Sequence, residues 1–153
     1  MTRSPALVTS LLALLLGACG GAGTSSYGEP AEASDAARTV EIEALDELAF
    51  DPETVAVAPG EVVTFRVTNV GEIEHEFVLG PEDVQSDAEA AMADDGGGHG
   101  GHGDQGNAIV MAPGETAELT WRFPEEGIGD ILYGCHLPGH YAGGMRGGIV
   151  AGS

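Results

Sequence analysis

The four residues Ala-Pro-Gly-Glu occur twice, at 58–61 and 112–115, and each copy leads into a run of alternating apolar and polar residues. Proline presets φ at the second turn position and glycine accepts positive φ at the third, so both stretches are expected to form type II turns. After the first turn, Val63, Phe65 and Val67 alternate with Thr64, Arg66 and Thr68. After the second, Ala117, Leu119, Trp121 and Phe123 alternate with Glu118, Thr120 and Arg122. Val40, Ile42 and Ala44 alternate in the same way with Thr39, Glu41 and Glu43. A period of two marks a strand with one face buried. Further strands are expected at 54–58, 75–80, 108–111, 130–135 and 148–151. Many short strands, regular turns and little helix predict an all-β antiparallel sandwich or barrel. Residues 39–153 are enough for one such core.

The 153 residues predict one domain. The start has one arginine, an apolar run from Ala6 to Leu16 and small residues before Cys19, as a secretory signal would over 1–18. Leu16-Gly17-Ala18-Cys19 resembles the lipobox of bacterial lipoproteins, which predicts lipidation of Cys19 and a membrane anchor. Residues 19–38, small, polar and proline-containing, read as the lipidated cysteine and a flexible tether. Residues 81–107 read as an insertion between strands. Its first half suits a short helix, and its second half, GGGHGGHGDQG at 96–106, is too glycine-rich for regular structure.

The formal charge is −20, with 25 acidic residues against five arginines and no lysine. A nucleic-acid partner is excluded, because almost nothing is present to neutralise phosphates. The acidity reads first as a solvated exported surface and second as steering toward a basic redox partner.

The chemistry concentrates in YGCHLPGHYAGGMRG, residues 133–147, which holds Cys135, His136, His140 and Met145. If 130–135 is a strand, Ile131, Tyr133 and Cys135 share one face and His136 points to the other. The turn at Leu137-Pro138-Gly139 can swing His140 back toward Cys135, and Gly143-Gly144 can bring Met145 beneath it. His140, not His136, is then the partner of the cysteine. A further ligand must come from His75, His99 or His102. His75 shares parity with the apolar Phe77 and Leu79, whereas His99 and His102 sit in flexible glycine. With Cys19 lipidated, Cys135 is a lone cysteine in an oxidising compartment, which a bound metal would protect. Two imidazoles, a thiolate and a weak thioether form a type 1 copper site. Zinc would favour several cysteines, and a catalytic Cys–His pair would need an orienting Asn or Asp and an oxyanion site.

The pattern Gly-x-x-x-Tyr-x-Cys-x-x-Pro-Gly-His-x-x-x-Gly-Met-x-Gly-x-x-Val, from Gly129 to Val150, resembles the copper loop of the cupredoxins, and its spacing is most similar to the rusticyanin-like branch. Leu48-Ala49-Phe50, Val57-Ala58-Pro59-Gly60 and His75-Glu76-Phe77 are similar to upstream cupredoxin segments. The resemblance covers 39–151 apart from the insertion. It implies a Greek-key β-sandwich binding one copper ion through His75, Cys135, His140 and Met145. Many members carry Asn after the first histidine to fasten the cysteine loop, where this chain has Glu76, and a histidine beside the cysteine, here His136, is also unusual. A dinuclear centre is excluded, since Cys135 has no companion cysteine in the loop.

The resemblance implies a non-enzymatic, exported, monomeric carrier passing single electrons between redox partners such as a cytochrome or a membrane oxidase. Leu137, Pro138 and Tyr141 would form its docking patch around His140. The alternative is copper delivery or buffering, for which His99 and His102 in the glycine segment are the motivating residues.

Overall fold

A computed structural model describes residues 25–94 and 106–152. The expected signal segment, Cys19, His99 and His102 lie outside them.

Two five-stranded sheets pack face to face. The strands are β1 (Glu29–Pro30), β2 (Arg38–Leu45), β3 (Ala49–Asp51), β4 (Thr54–Val57), β5 (Val62–Asn69), β6 (His75–Gly80), β7 (Ala108–Met111), β8 (Thr116–Arg122), β9 (Ile131–Gly134) and β10 (Arg146–Ala151), with one helix, α1 (Glu82–Asp94). The first sheet runs β1-β8-β5-β2-β3 and the second β4-β10-β9-β6-β7. The β2–β5 and β4–β10 pairs are parallel and the others antiparallel. This is the expected all-β sandwich, and each of the eight expected strands is present.

Alternation explains the core. Val63, Phe65 and Val67 turn inward from β5 and meet Leu119 and Trp121 of β8, all buried. Phe77 and Tyr133 from the second sheet stack with ring centroids 5.1 Å apart, and Phe65 meets Phe77 across the sandwich at 5.6 Å. Ring pairs of this kind add stabilisation beyond their buried area.

The repeated turns lie at opposite ends of β5. Gly60 and Gly114 have φ of 74° and 76°, as the type II geometry requires. In each turn the closing glutamate does two jobs. Its N–H donates to the alanine carbonyl, at 3.1 Å for Glu61 and 2.9 Å for Glu115. Its carboxylate accepts from the same alanine's N–H, at 2.8 Å and 3.0 Å. The glutamate that ends both copies is therefore part of the turn.

β6 is buried along its whole length, because two layers cover it. Phe77 and Leu79 face the sandwich, while Glu76 and Val78 lie on the other side, which α1 covers. Along α1, Gln85, Ala88 and Met92 are buried at helical spacing.

Residues 25–38 fall in the stretch expected to be a flexible tether, and here the structure differs. β1 pairs with β8 through Glu29 and Pro30. Tyr27 is buried, stacks on Trp121 at 5.3 Å and 11°, and accepts a hydrogen bond from Trp121 Nε1 at 3.0 Å. Composition marked this segment as polar, but one aromatic side chain is enough to dock it on a large apolar ring. The short strands β1 and β3 carry too few residues for alternation to show.

Loops gather at one end of the sandwich. The Asp46–Leu48 turn reaches the β5–β6 loop through bonds from Glu72 N–H and Ile73 N–H to the Asp46 carboxylate. The β7–β8 turn is tied to the end of β5 by Gly114 N–H donating to the Asn69 carbonyl at 3.0 Å. The β9–β10 loop, residues 135–145, closes the same end.

Candidate metal centre

Three elements deliver the site. His75 is the first residue of β6, Cys135 follows the last residue of β9, and His140 and Met145 come from the β9–β10 loop, Met145 immediately before β10. One potential ligand atom from each of His75, Cys135 and His140 lies within 4.8 Å of the others. Cys135 Sγ is 3.3 Å from His140 Nδ1. The rings of His75 and His140 stand 5.3 Å apart at 56°. His75, Cys135 and Met145 are buried, and His140 is half-exposed.

The loop is wound tightly. His140 N–H donates to the Leu137 carbonyl at 2.9 Å, closing the Leu137-Pro138-Gly139 turn, where Gly139 has φ 85°. Gly143 and Gly144 reverse the chain, and Met145 N–H then bonds the His140 carbonyl at 3.0 Å. The Met145 carbonyl accepts from Cys135 N–H at 3.1 Å, so Met145 lies directly beside the cysteine along the backbone. A methyl group on Gly143 would come within 3.0 Å of the Gly139 carbonyl oxygen, so the loop needs a glycine there.

A metal fits these residues on an observation internal to the fold. His75 Nδ1 is buried with no hydrogen-bond partner among the described residues. A buried polar atom without a partner is costly, and this one shares a cluster with a thiol and a second imidazole. The other nitrogen, Nε2, is 3.2 Å from Asp46 Oδ1. A proton donated through Nε2 to that carboxylate leaves the Nδ1 lone pair free, the arrangement of a carboxylate-oriented metal ligand. Asp46 is the residue that sequence reasoning missed; nothing in its local pattern marks it. A methyl group on Gly71 would collide with the Asp46 carboxylate, so the glycine makes room for this contact.

Burial dominates the electrostatics of the cluster. Burial pushes the Cys135 thiol from its ordinary 9.0 up to about 11, against the opposing pull of the Glu76 and Leu137 backbone N–H groups. Burial, then His75, lowers the His140 pKa, so the ring is favoured in its neutral, ligating form. Hydrogen bonds from backbone groups, led by Glu72 N–H, lower the Asp46 pKa and keep it ionised beside His75.

The unusual residues have partners. Glu76 N–H donates to Cys135 Sγ at 3.3 Å, and its carboxylate accepts from His136 N–H at 3.3 Å. Glu76 thus ties β6 to the cysteine loop at the position where Asn is frequent. His136, expected to point away from the sulfur, does so: its ring is buried beneath α1 with Nε2 2.7 Å from Gln85 Oε1.

A β-sandwich carrying a cysteine and two histidines as a buried trio at its loop end, with a methionine beside them in the closing loop, defines the class of the cupredoxins, and their cofactor is copper. The chain belongs to the plastocyanin/azurin family of copper binding proteins, whose family model matches residues 36–152. It is similar to the copper-resistant cuproprotein CopI of Rubrivivax gelatinosus, 39% identical over 127 residues, covering 81% of this chain and 72% of that protein. It is also similar to auracyanin-A of Chloroflexus aurantiacus, 32% identical over 143 residues, covering 88% of this chain and 87% of that protein. Among solved structures, the dithionite-reduced auracyanin of Roseiflexus castenholzii superposes with a TM-score of 0.65 at 27% identity, covering 77% of this chain and 99% of that one.

Proposed function

We propose that this protein is a one-electron carrier whose single copper ion is held by His75 Nδ1, His140 Nδ1, Cys135 Sγ and the Met145 thioether. The observation that carries the reading is the unpartnered Nδ1 of buried His75 in one cluster with Cys135 Sγ and His140 Nδ1. Copper held by this donor set supplies a one-electron couple. The protein's part is rigidity: the strand ends, Glu76 and Asp46 hold the donors in place, and burial excludes water from the sulfur.

His140 is the half-exposed member of the trio and lies nearest to solvent. Around it, Pro138 is exposed and Leu137 half-buried, while Tyr141 turns onto His136. The β5–β6 loop at this end adds exposed Val70 and Ile73. A small apolar face of this kind suits brief encounters with a redox protein such as a cytochrome or a membrane oxidase. Export, lipidation at Cys19 and a monomeric state complete the proposal. The test is a visible spectrum after adding one equivalent of Cu(II), with and without Cys135→Ser. An intense blue band lost in the variant supports the ligand set; a colourless oxidised wild type sinks it.

A second reading is copper handling, favoured by the likeness to a protein named for copper resistance. His99 and His102 would then take up copper before the buried site does. Deleting residues 96–106 separates the two: slower copper loading supports handling, and unchanged loading with rapid reversible reduction by a cytochrome supports electron transfer.

A further inference from the structure

We propose that α1 is a brace for the cysteine loop and that His136 is the positioning residue through which it acts. This rests on the reading of Cys135 as a copper ligand. Three residues at the spacing of one helix face, Glu82, Gln85 and Glu89, reach the loop. Gln85 Oε1 lies 2.7 Å from His136 Nε2, Glu89 Oε2 lies 3.1 Å from His136 Nδ1, and Tyr141 O–H donates to Glu82 Oε2 at 3.4 Å. Tyr141 closes the group by stacking on the His136 ring at 4.6 Å and 28°.

The direction of these bonds is set by the buried amide. Gln85 Nε2 donates to the carbonyls of Val78, Gly80 and Leu132, which belong to β6 and β9. Its oxygen must then face His136 and can only accept, so His136 donates through Nε2. Gln85 therefore bolts the helix to the two strands that carry His75 and Cys135, and at the same time fixes the residue next to Cys135. Gly134 lets these groups close in: a Cβ there would meet the Tyr141 ring at 2.7 Å and Gln85 Oε1 at 2.9 Å. The His136 backbone N–H goes to Glu76, so ring and backbone are held from two sides, by α1 and by β6. The next atoms along the chain are those of Cys135, whose sulfur receives the Glu76 N–H bond. Groups that orient a metal ligand from outside the coordination sphere change metal affinity by about 10–100-fold.

The test is a double-mutant cycle on the full chain with His136→Phe and Gln85→Met, reading Cu(I) affinity by chelator competition, the hyperfine splitting of the oxidised protein and the melting temperature of the apoprotein. Phenylalanine keeps the stack on Tyr141 and removes both ring nitrogens. Each single variant is expected to lose at least tenfold in affinity and to alter the splitting, and the double variant to lose less than the sum of the two, because both remove the shared Gln85–His136 contact. A lower melting temperature with unchanged affinity and splitting, or fully additive losses, overturns the proposal. If His136→Phe does not fold, Tyr141→Leu carries the same test from a half-buried position: a loss of threefold or more supports the brace and wild-type behaviour overturns it. A wild type that binds no copper sinks the electron-carrier reading and this inference together; normal copper in wild type and variants alike sinks this inference alone.

Discussion

Asp46 Oδ1 lies 3.2 Å from His75 Nε2, joining a turn between β2 and β3 to the first residue of β6, 29 positions further along the chain. The contact selects the nitrogen that His75 offers to the interior, and the carboxylate is itself seated by Glu72 N–H at 2.7 Å. An exposed side chain outside the His75, Cys135 and His140 cluster thus orients the buried His75 ring.

Replacing Asp46 with alanine is expected to weaken Cu(I) binding by about 10–100-fold, with Asp46→Asn losing less because an amide oxygen can still accept. Gly71→Ala should act in the same direction by displacing the carboxylate. Chelator competition reads both. Affinity unchanged in Asp46→Ala would show that His75 is oriented by packing alone.

The buried Cys135 thiol makes apoprotein stability fall at high pH. Its folded pKa, about 11, lies above the ordinary 9.0, so between these values the unfolded chain has released a proton that the folded chain retains. Stability from this group is complete below pH 9 and is lost as pH rises toward 11, by up to about 3 kcal/mol at 1.36 kcal/mol per pKa unit. Apoprotein melting curves from pH 8 to 11 should show this fall, and Cys135→Ser should flatten it. Copper loading should also flatten it, since the metal takes the proton's place.

Glu61 holds a turn and a cation together: it accepts from Ala58 N–H and pairs with Arg38 Nε at 2.7 Å. Its carboxylate is largely covered, and Arg38, followed by the Ala58 bond, lowers its pKa. Glu61→Ala should cost about 1–2 kcal/mol in urea unfolding at pH 7. The contribution is present above the ordinary glutamate value of 4.5 and is lost as pH falls through the lowered folded value. Wild type and variant should therefore converge once the pH has fallen below that lowered value. The matching turn glutamate, Glu115, is exposed, and Glu115→Ala should cost less.

Trp121 is the chain's single tryptophan, so its emission reports on the docking of Tyr27. Tyr27→Ala removes the ring that covers it and should destabilise by about 2–4 kcal/mol, near the range for truncating buried aromatics. The folded variant's emission should shift to the red. Unchanged emission and stability would mean that residues 25–30 contribute nothing to the core.

What was legible in the chain alone was local. The two Ala-Pro-Gly-Glu turns fix φ by residue type, and alternation along 63–68 and 117–123 assigns faces, because strand geometry repeats every two residues. The same parity put His75 and Cys135 inside and His136 on the opposite side. The spacing of Cys135, His140 and Met145 is a sequence property too, since one short loop carries all three residues. The tertiary structure decided everything that depends on residues far apart meeting. Asp46 reaches His75, Gln85 and Glu89 reach His136, and Tyr27 reaches Trp121, each across a separation that no local pattern records. A single hydrogen bond or ring contact constrains neither composition nor periodicity, so it leaves no trace until the packed sheets bring its two ends together.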